Sequence, residues 1–135
     1  MIVRALTLAL FLAPLPAFAQ SVDDLVGRWG VASYWKAEDK AKAPGWAWQA
    51  CGQPSVIGKS DSGNLTMFVA DGERREVKLK GKTLTPADSK LPEGPANRHV
   101  RTITAFEPGK SFELTWKDNG FAGRYGTVVY VRCGG

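Results

Sequence analysis

From Gly27 onward the chain alternates apolar and polar side chains with a period of two, the signature of strands with one buried face. Trp29, Val31, Ser33 and Trp35 fall on one side of a first strand, Gly27–Trp35. Similar patterns cover residues 54–59, 65–70, 76–84, 100–106, 112–117 and 127–133. In the sixth of these seven, Phe112, Leu114 and Trp116 alternate with Glu113, Thr115 and Lys117. The last, Thr127-Val128-Val129-Tyr130-Val131, is apolar on both sides, which predicts a strand covered on both faces. Trp46–Cys51 is a candidate eighth strand.

Turn chemistry separates most of these runs. Asp61-Ser62-Gly63-Asn64, Asp71-Gly72, Glu107-Pro108-Gly109-Lys110 and Asp118-Asn119-Gly120 favour tight reversals. The stretch Pro86–Arg98 is Pro-rich and polar and reads as a long loop; Ser21 followed by Asp24 can cap a single helical turn. Short connections favour antiparallel pairing of consecutive strands. The expected fold is all-β: an up-and-down antiparallel barrel of about eight short strands, whose closure removes exposed edges. A β-sandwich is the alternative.

The N-terminus breaks the pattern. Arg4, an apolar stretch over Ala5–Leu15 and the small residues of Ala17-Phe18-Ala19 have the order of an export signal over residues 1–19. Pro14 and Pro16 interrupt the stretch, and it is shorter than the roughly 20 residues of a membrane span, so no transmembrane anchor is expected. Residues 20–135 then form one domain, periplasmic or secreted and expected to be monomeric. An exported chain with two cysteines, Cys51 and Cys133, implies one disulfide.

Composition narrows the chemistry. With 135 residues, 44% hydrophobic and 23% charged, the chain is globular, and 15 Gly with 8 Pro suit many turns. Its net charge is +5, but export disfavours nucleic acid as the partner. The single His99 has no ligand at metal spacing and no nucleophile motif near it, so neither a metal site nor a catalytic triad is expected, and no cofactor is implied. Along Arg74–Lys82, Glu76, Lys78, Lys80 and Lys82 share one strand face opposite Val77 and Leu79. That face is either a solvated outer wall or a patch for an anionic partner such as lipid headgroups.

Gly27-Arg28-Trp29 resembles the G-x-W signature of the lipocalin and calycin superfamily. The resemblance implies that Trp29 packs across one end of the barrel beneath a basic residue from the final strand, where Arg132 stands, and the long first connection over Lys36–Gly52 suits it. Size, export signal and one disulfide are also similar to those of small bacterial calycins that inhibit secreted metalloproteases through an N-terminal trunk. Here that trunk would be Gln20–Val26. Because Arg132 and Cys133 are adjacent, an inward Arg132 puts the disulfide outside the barrel.

The expected function is non-catalytic binding of a small apolar or amphipathic molecule, with Trp35, Trp46 and Trp48 lining the open end and Lys40 or Lys42 meeting an anionic head. The alternative is a protein-binding module such as a protease inhibitor.

Overall fold

The computed structural model describes residues 20–69, 72–88, 90–91 and 94–134. The expected export signal, residues 1–19, lies outside the described residues, as do Ala70 and Asp71, which end one expected strand and begin one expected reversal.

A single turn, α1 (Val22–Leu25), precedes the first strand, β1 (Gly27–Tyr34). The Asp24 carboxylate that caps it accepts from the Ser21 backbone N–H at 2.7 Å. Next come α2 (Ala43–Gln49), β2 (Ser55–Lys59), β3 (Leu65–Phe68), β4 (Arg74–Lys80) and β5 (Thr83–Pro86). A small two-stranded ribbon, β6 (Lys90–Leu91) with β7 (Gly94–Pro95), leads to β8 (Arg101–Glu107) and β9 (Ser111–Trp116). The chain continues through α3 (Asn119–Tyr125) and β10 (Thr127–Arg132). Eight strands close into an antiparallel barrel in the order β1-β10-β9-β8-β5-β4-β3-β2, so every neighbour pair except the closing seam is consecutive along the barrel. The up-and-down barrel is thus the fold, and the sandwich is not.

Three expectations are corrected. The eighth strand is not Trp46–Cys51, which lies in α2 and a 3₁₀ turn (Ala50–Gly52). It arises because the run 76–84 folds back on itself at Gly81, whose φ of +60° suits a residue without a β-carbon. Asp118-Asn119-Gly120 does not reverse the chain. Asp118 caps α3 instead, accepting from the Phe121 N–H at 3.0 Å. Within the expected 86–98 loop lie the β6/β7 ribbon and the start of a 3₁₀ turn, Ala96–His99.

The inward faces form one continuous core. Phe112 stacks on Tyr130 at 4.4 Å and meets Trp29 edge-on at 4.7 Å, with Leu65, Met67, Val77, Leu84, Ile103 and Leu114 filling the rest. At the end closed by α1, the Arg132 guanidinium lies 4.3 Å from the centre of the Trp29 ring. It donates to the Asp24 and Val26 carbonyls at 3.1 and 3.2 Å, while the Trp29 indole N–H donates to the Leu25 carbonyl at 2.9 Å. Register pairs Trp29 directly with Arg132, so the first and last strands are locked where the barrel closes. The expected Trp29–Arg132 pair is present.

A second layer covers the outer side of β1 and β10. Ala43 and Ala47, one helical turn apart on α2, are buried against Val129, with Ala32, Tyr34 and Val131 around them. This accounts for the two apolar faces of β10. The Cys51–Cys133 disulfide ties the end of this layer to the last strand, with Cα atoms 5.5 Å apart, and it lies outside the barrel because Arg132 points in. Close approach of α2 depends on Gly30, where a β-carbon would sit 1.9 Å from the Ala47 carbonyl oxygen. Gly30→Ala is therefore expected to cost about 2 kcal/mol through forced backbone displacement. A chemical-denaturation midpoint equal to wild type would show that α2 yields freely.

At the opposite end of β2, the turn to β3 is built around Glu76 of β4. Its carboxylate accepts from the Ser60 hydroxyl at 2.6 Å, from the Asn64 amide at 3.0 Å and from the Ser62 hydroxyl. These bonds, Ser60 foremost, hold its pKa at about 2 against an ordinary 4.5. A carboxylate depressed in the folded state stabilises fully above 4.5 and loses that contribution as pH falls toward about 2. Wild type is accordingly expected to exceed Glu76→Gln in urea midpoint at pH 7, with the gap closing between pH 4.5 and 2. A gap that stays constant across that window would show that Glu76 contributes by shape alone.

Candidate functional site

The long connections, β1 to β2, β5 to β8 and β9 to β10, gather at the end of the barrel away from α1. Side chains of the fold itself occupy this end. Trp116, at the end of β9, meets Phe121 of α3 edge-on at 5.5 Å and Tyr125 at 5.3 Å. The buried His99 ring also meets Phe121 edge-on, at 5.1 Å. Arg98 lies 4.5 Å over the Phe121 ring and 3.4 Å from the Asp118 carboxylate. The Phe121 N–H, with help from Arg98, holds the Asp118 carboxyl below the usual range, so the cap stays charged.

Beneath this plug, Arg101 points into the barrel. It is 3% exposed, stands 5.2 Å from the Trp116 ring centre and reaches the Phe68 carbonyl at 3.4 Å. Burial pushes the guanidinium pKa down and the Tyr130 phenol up, while the two polarise each other in the opposite sense. Sequence reading passed over Arg101, although the alternation of β8 places it on the same face as the buried Ile103.

The residues singled out for binding lie elsewhere. Trp46 and Trp48, 40% and 56% exposed, project from α2 on the side away from Ala43 and Ala47. They therefore flank the outer wall and do not line the open end as expected. Trp35 is 61% exposed and rests on α3, its indole N–H donating to the Gly123 carbonyl at 3.1 Å. Lys40 and Lys42 are exposed in the turn before α2, Lys42 facing Asp39 at 3.8 Å. Instead of one cluster at the mouth, two shallow grooves border these aromatics. One of about 260 Å³ lies between Trp35, Trp116 and Thr127, and one of about 360 Å³ between Trp48, Lys110, Val131 and Gly134. The lead-in that the inhibitor alternative would need as a trunk is bound to the barrel: Leu25 is fully buried, and Asp23 pairs with Lys59 at 3.1 Å.

Among the described residues, no three His, Cys, Asp or Glu side chains converge to hold a metal ion, and no helix is long and apolar enough to cross a membrane. Comparison of the chain with protein-family models, with curated proteins and with solved structures found no match.

Proposed function

We propose that this protein is a non-catalytic binding module acting outside the cytoplasm, which engages a protein partner through its outer surface. One observation carries the reading: the interior is occupied by the barrel's own Phe112, Tyr130, Leu114 and Arg101, while three tryptophans stay at least 40% exposed. Exposed Trp supplies large contact area at small entropic cost and dominates many protein interfaces. The Cys51–Cys133 bridge suits an oxidising compartment. The Trp29–Arg132 stack at the barrel seam is compatible with a calycin-type architecture, to which we assign the chain.

A second reading keeps a small amphipathic ligand but moves it from the barrel interior to the groove beside Trp48. Its volume of about 360 Å³ falls within the range of ligand sites, and Lys110 stands at its rim. A two-part measurement separates the readings. Photo-crosslinking from positions 46 and 48 should give one adduct of defined mass, and Trp46→Ala with Trp48→Ala should weaken binding of that isolated partner at least tenfold. Thermal melts with fatty acids, isoprenoids and haem should show no shift. A ligand-induced rise in melting temperature that disappears in Trp48→Ala, with no adduct, would replace the first reading by the second.

A further inference from the structure

The outer faces of β1 to β4 form a wall that the proposed function leaves unused. Its residues alternate with the buried Ile57, Leu65, Met67 and Val77, so they point away from the core. Arg28 on β1 stands opposite Val56 on β2, and Phe68 on β3 stands opposite Arg74 on β4. Val56 and Phe68 are 45% and 49% exposed, a pair of large apolar side chains on adjacent strands. Arg74 joins them: its guanidinium lies 6.0 Å over the Phe68 ring and donates to the Val56 carbonyl and, at 3.1 Å, to the Thr66 hydroxyl. Farther along β4, Lys78 and Lys80 stand exposed beside Thr85 and Thr83. Lys82, expected on this face, lies in the turn after β4.

Cations outnumber carboxylates along this wall. Glu76 stays ionised between them, its carboxylate accepting from Ser60, Ser62 and Asn64 at the turn and drawn to Lys78. Among the described residues, Arg28, Lys78 and Lys80 form no salt bridge. Arg28 and Arg74 thus flank two half-exposed apolar side chains on an open sheet, Lys78 and Lys80 extend the positive charge along β4, and neither groove bordering the tryptophans opens there. Spread cations without a cleft match a planar array of negative charges better than one compact anion. Half-exposed Val56 and Phe68 between the two arginines supply the apolar contact that an interface between headgroups and acyl chains rewards.

We infer that this wall is a docking surface for an anionic lipid bilayer. The inference stands independently of the protein-binding reading, because it uses none of Trp35, Trp46 or Trp48.

The test is flotation of the purified, oxidised protein with vesicles of phosphatidylcholine alone or mixed with phosphatidylglycerol. Binding is expected only to the anionic vesicles, and to be lost in 0.5 M salt, where screening is within about 5 Å. Each lysine contributes about fivefold near such a surface, so Lys78→Gln with Lys80→Gln should weaken binding about 25-fold. Phe68→Ser should weaken it about fivefold through lost apolar contact. Both variants change exposed positions and should keep the wild-type melting temperature, which is measured alongside. Trp46→Ala with Trp48→Ala should bind vesicles as wild type does, whatever its effect on a protein partner. No flotation at low salt, equal flotation with neutral vesicles, undiminished binding by the lysine variant, or loss in the tryptophan variant would each overturn the inference. Binding to polyglutamate without binding to vesicles would overturn it in favour of an acidic polypeptide.

Discussion

Trp29→Ala is expected to cost about 3–5 kcal/mol of unfolding free energy, the range for deleting a large buried aromatic. Trp29 is 1% exposed, and three contacts depend on it together: the edge of Phe112, the Leu25 carbonyl and the face beneath Arg132. Removing the ring opens a cavity where the first and last strands meet and leaves the guanidinium without its cushion. Arg132→Met gives up the bonds to the Asp24 and Val26 carbonyls but keeps an apolar stem over the ring and opens no large cavity, so it should cost less than the tryptophan deletion. A double-mutant cycle in chemical denaturation should find coupling of about 0.5–2 kcal/mol between the two positions. If Trp29→Ala melts within a few degrees of wild type, the seam is not where the barrel is held.

Loss of the disulfide is the second large effect. Cys51 and Cys133 are 82 residues apart, and a loop of that length corresponds to roughly 4 kcal/mol in the chain-entropy picture. Cys51→Ser with Cys133→Ser should lower the urea midpoint accordingly. Because the bridge comes directly after α2, the loss should fall first on that helix. Amide exchange over Ala43–Gln49 is expected to accelerate more than exchange over β8 and β9. Uniform acceleration in all three elements would show that the bridge acts on the barrel as a whole.

The residues explain which parts of this fold were legible in advance. Phe112, Leu114 and Trp116 alternate with polar partners, and that pattern has one strand solution. The two-faced β10 announced a covering layer without revealing what covers it. That cover, α2, was hidden because Ala43 and Ala47 do the burying: small residues carry little hydrophobic signal, whereas Trp46 and Trp48 dominate the segment while facing solvent. The same illusion drew the binding residues to the barrel mouth. A cluster of aromatics near a long connection shows where bulk is available, and only the docked face of the helix shows which way it points. The true plug at the mouth, Phe121 and Tyr125, sat behind an Asp-Asn-Gly sequence that serves equally as a turn or as a helix cap, the choice resting on the residues C-terminal to it. The reversal at Gly81 did leave a trace, because the apolar phase shifts there from the odd positions Val77 and Leu79 to the even Leu84, while the run of alternating lysines through Lys82 masks it.

The seam between β1 and β10 also sets an order of events in time. Arg132 bonds to Val26 across 106 positions, and five consecutive residues of β1, Gly30 to Tyr34, find their partners only in the final strand. Local hairpins such as β4–β5 and β8–β9 can form early, but they remain an open, curling ribbon until the last strand arrives. Closure over such a span is entropically slow, placing folding of a barrel like this on the millisecond-to-second scale. Until then both edges are bare, so the interval before closure is when this chain is most exposed to aggregation and most dependent on being kept apart from its copies.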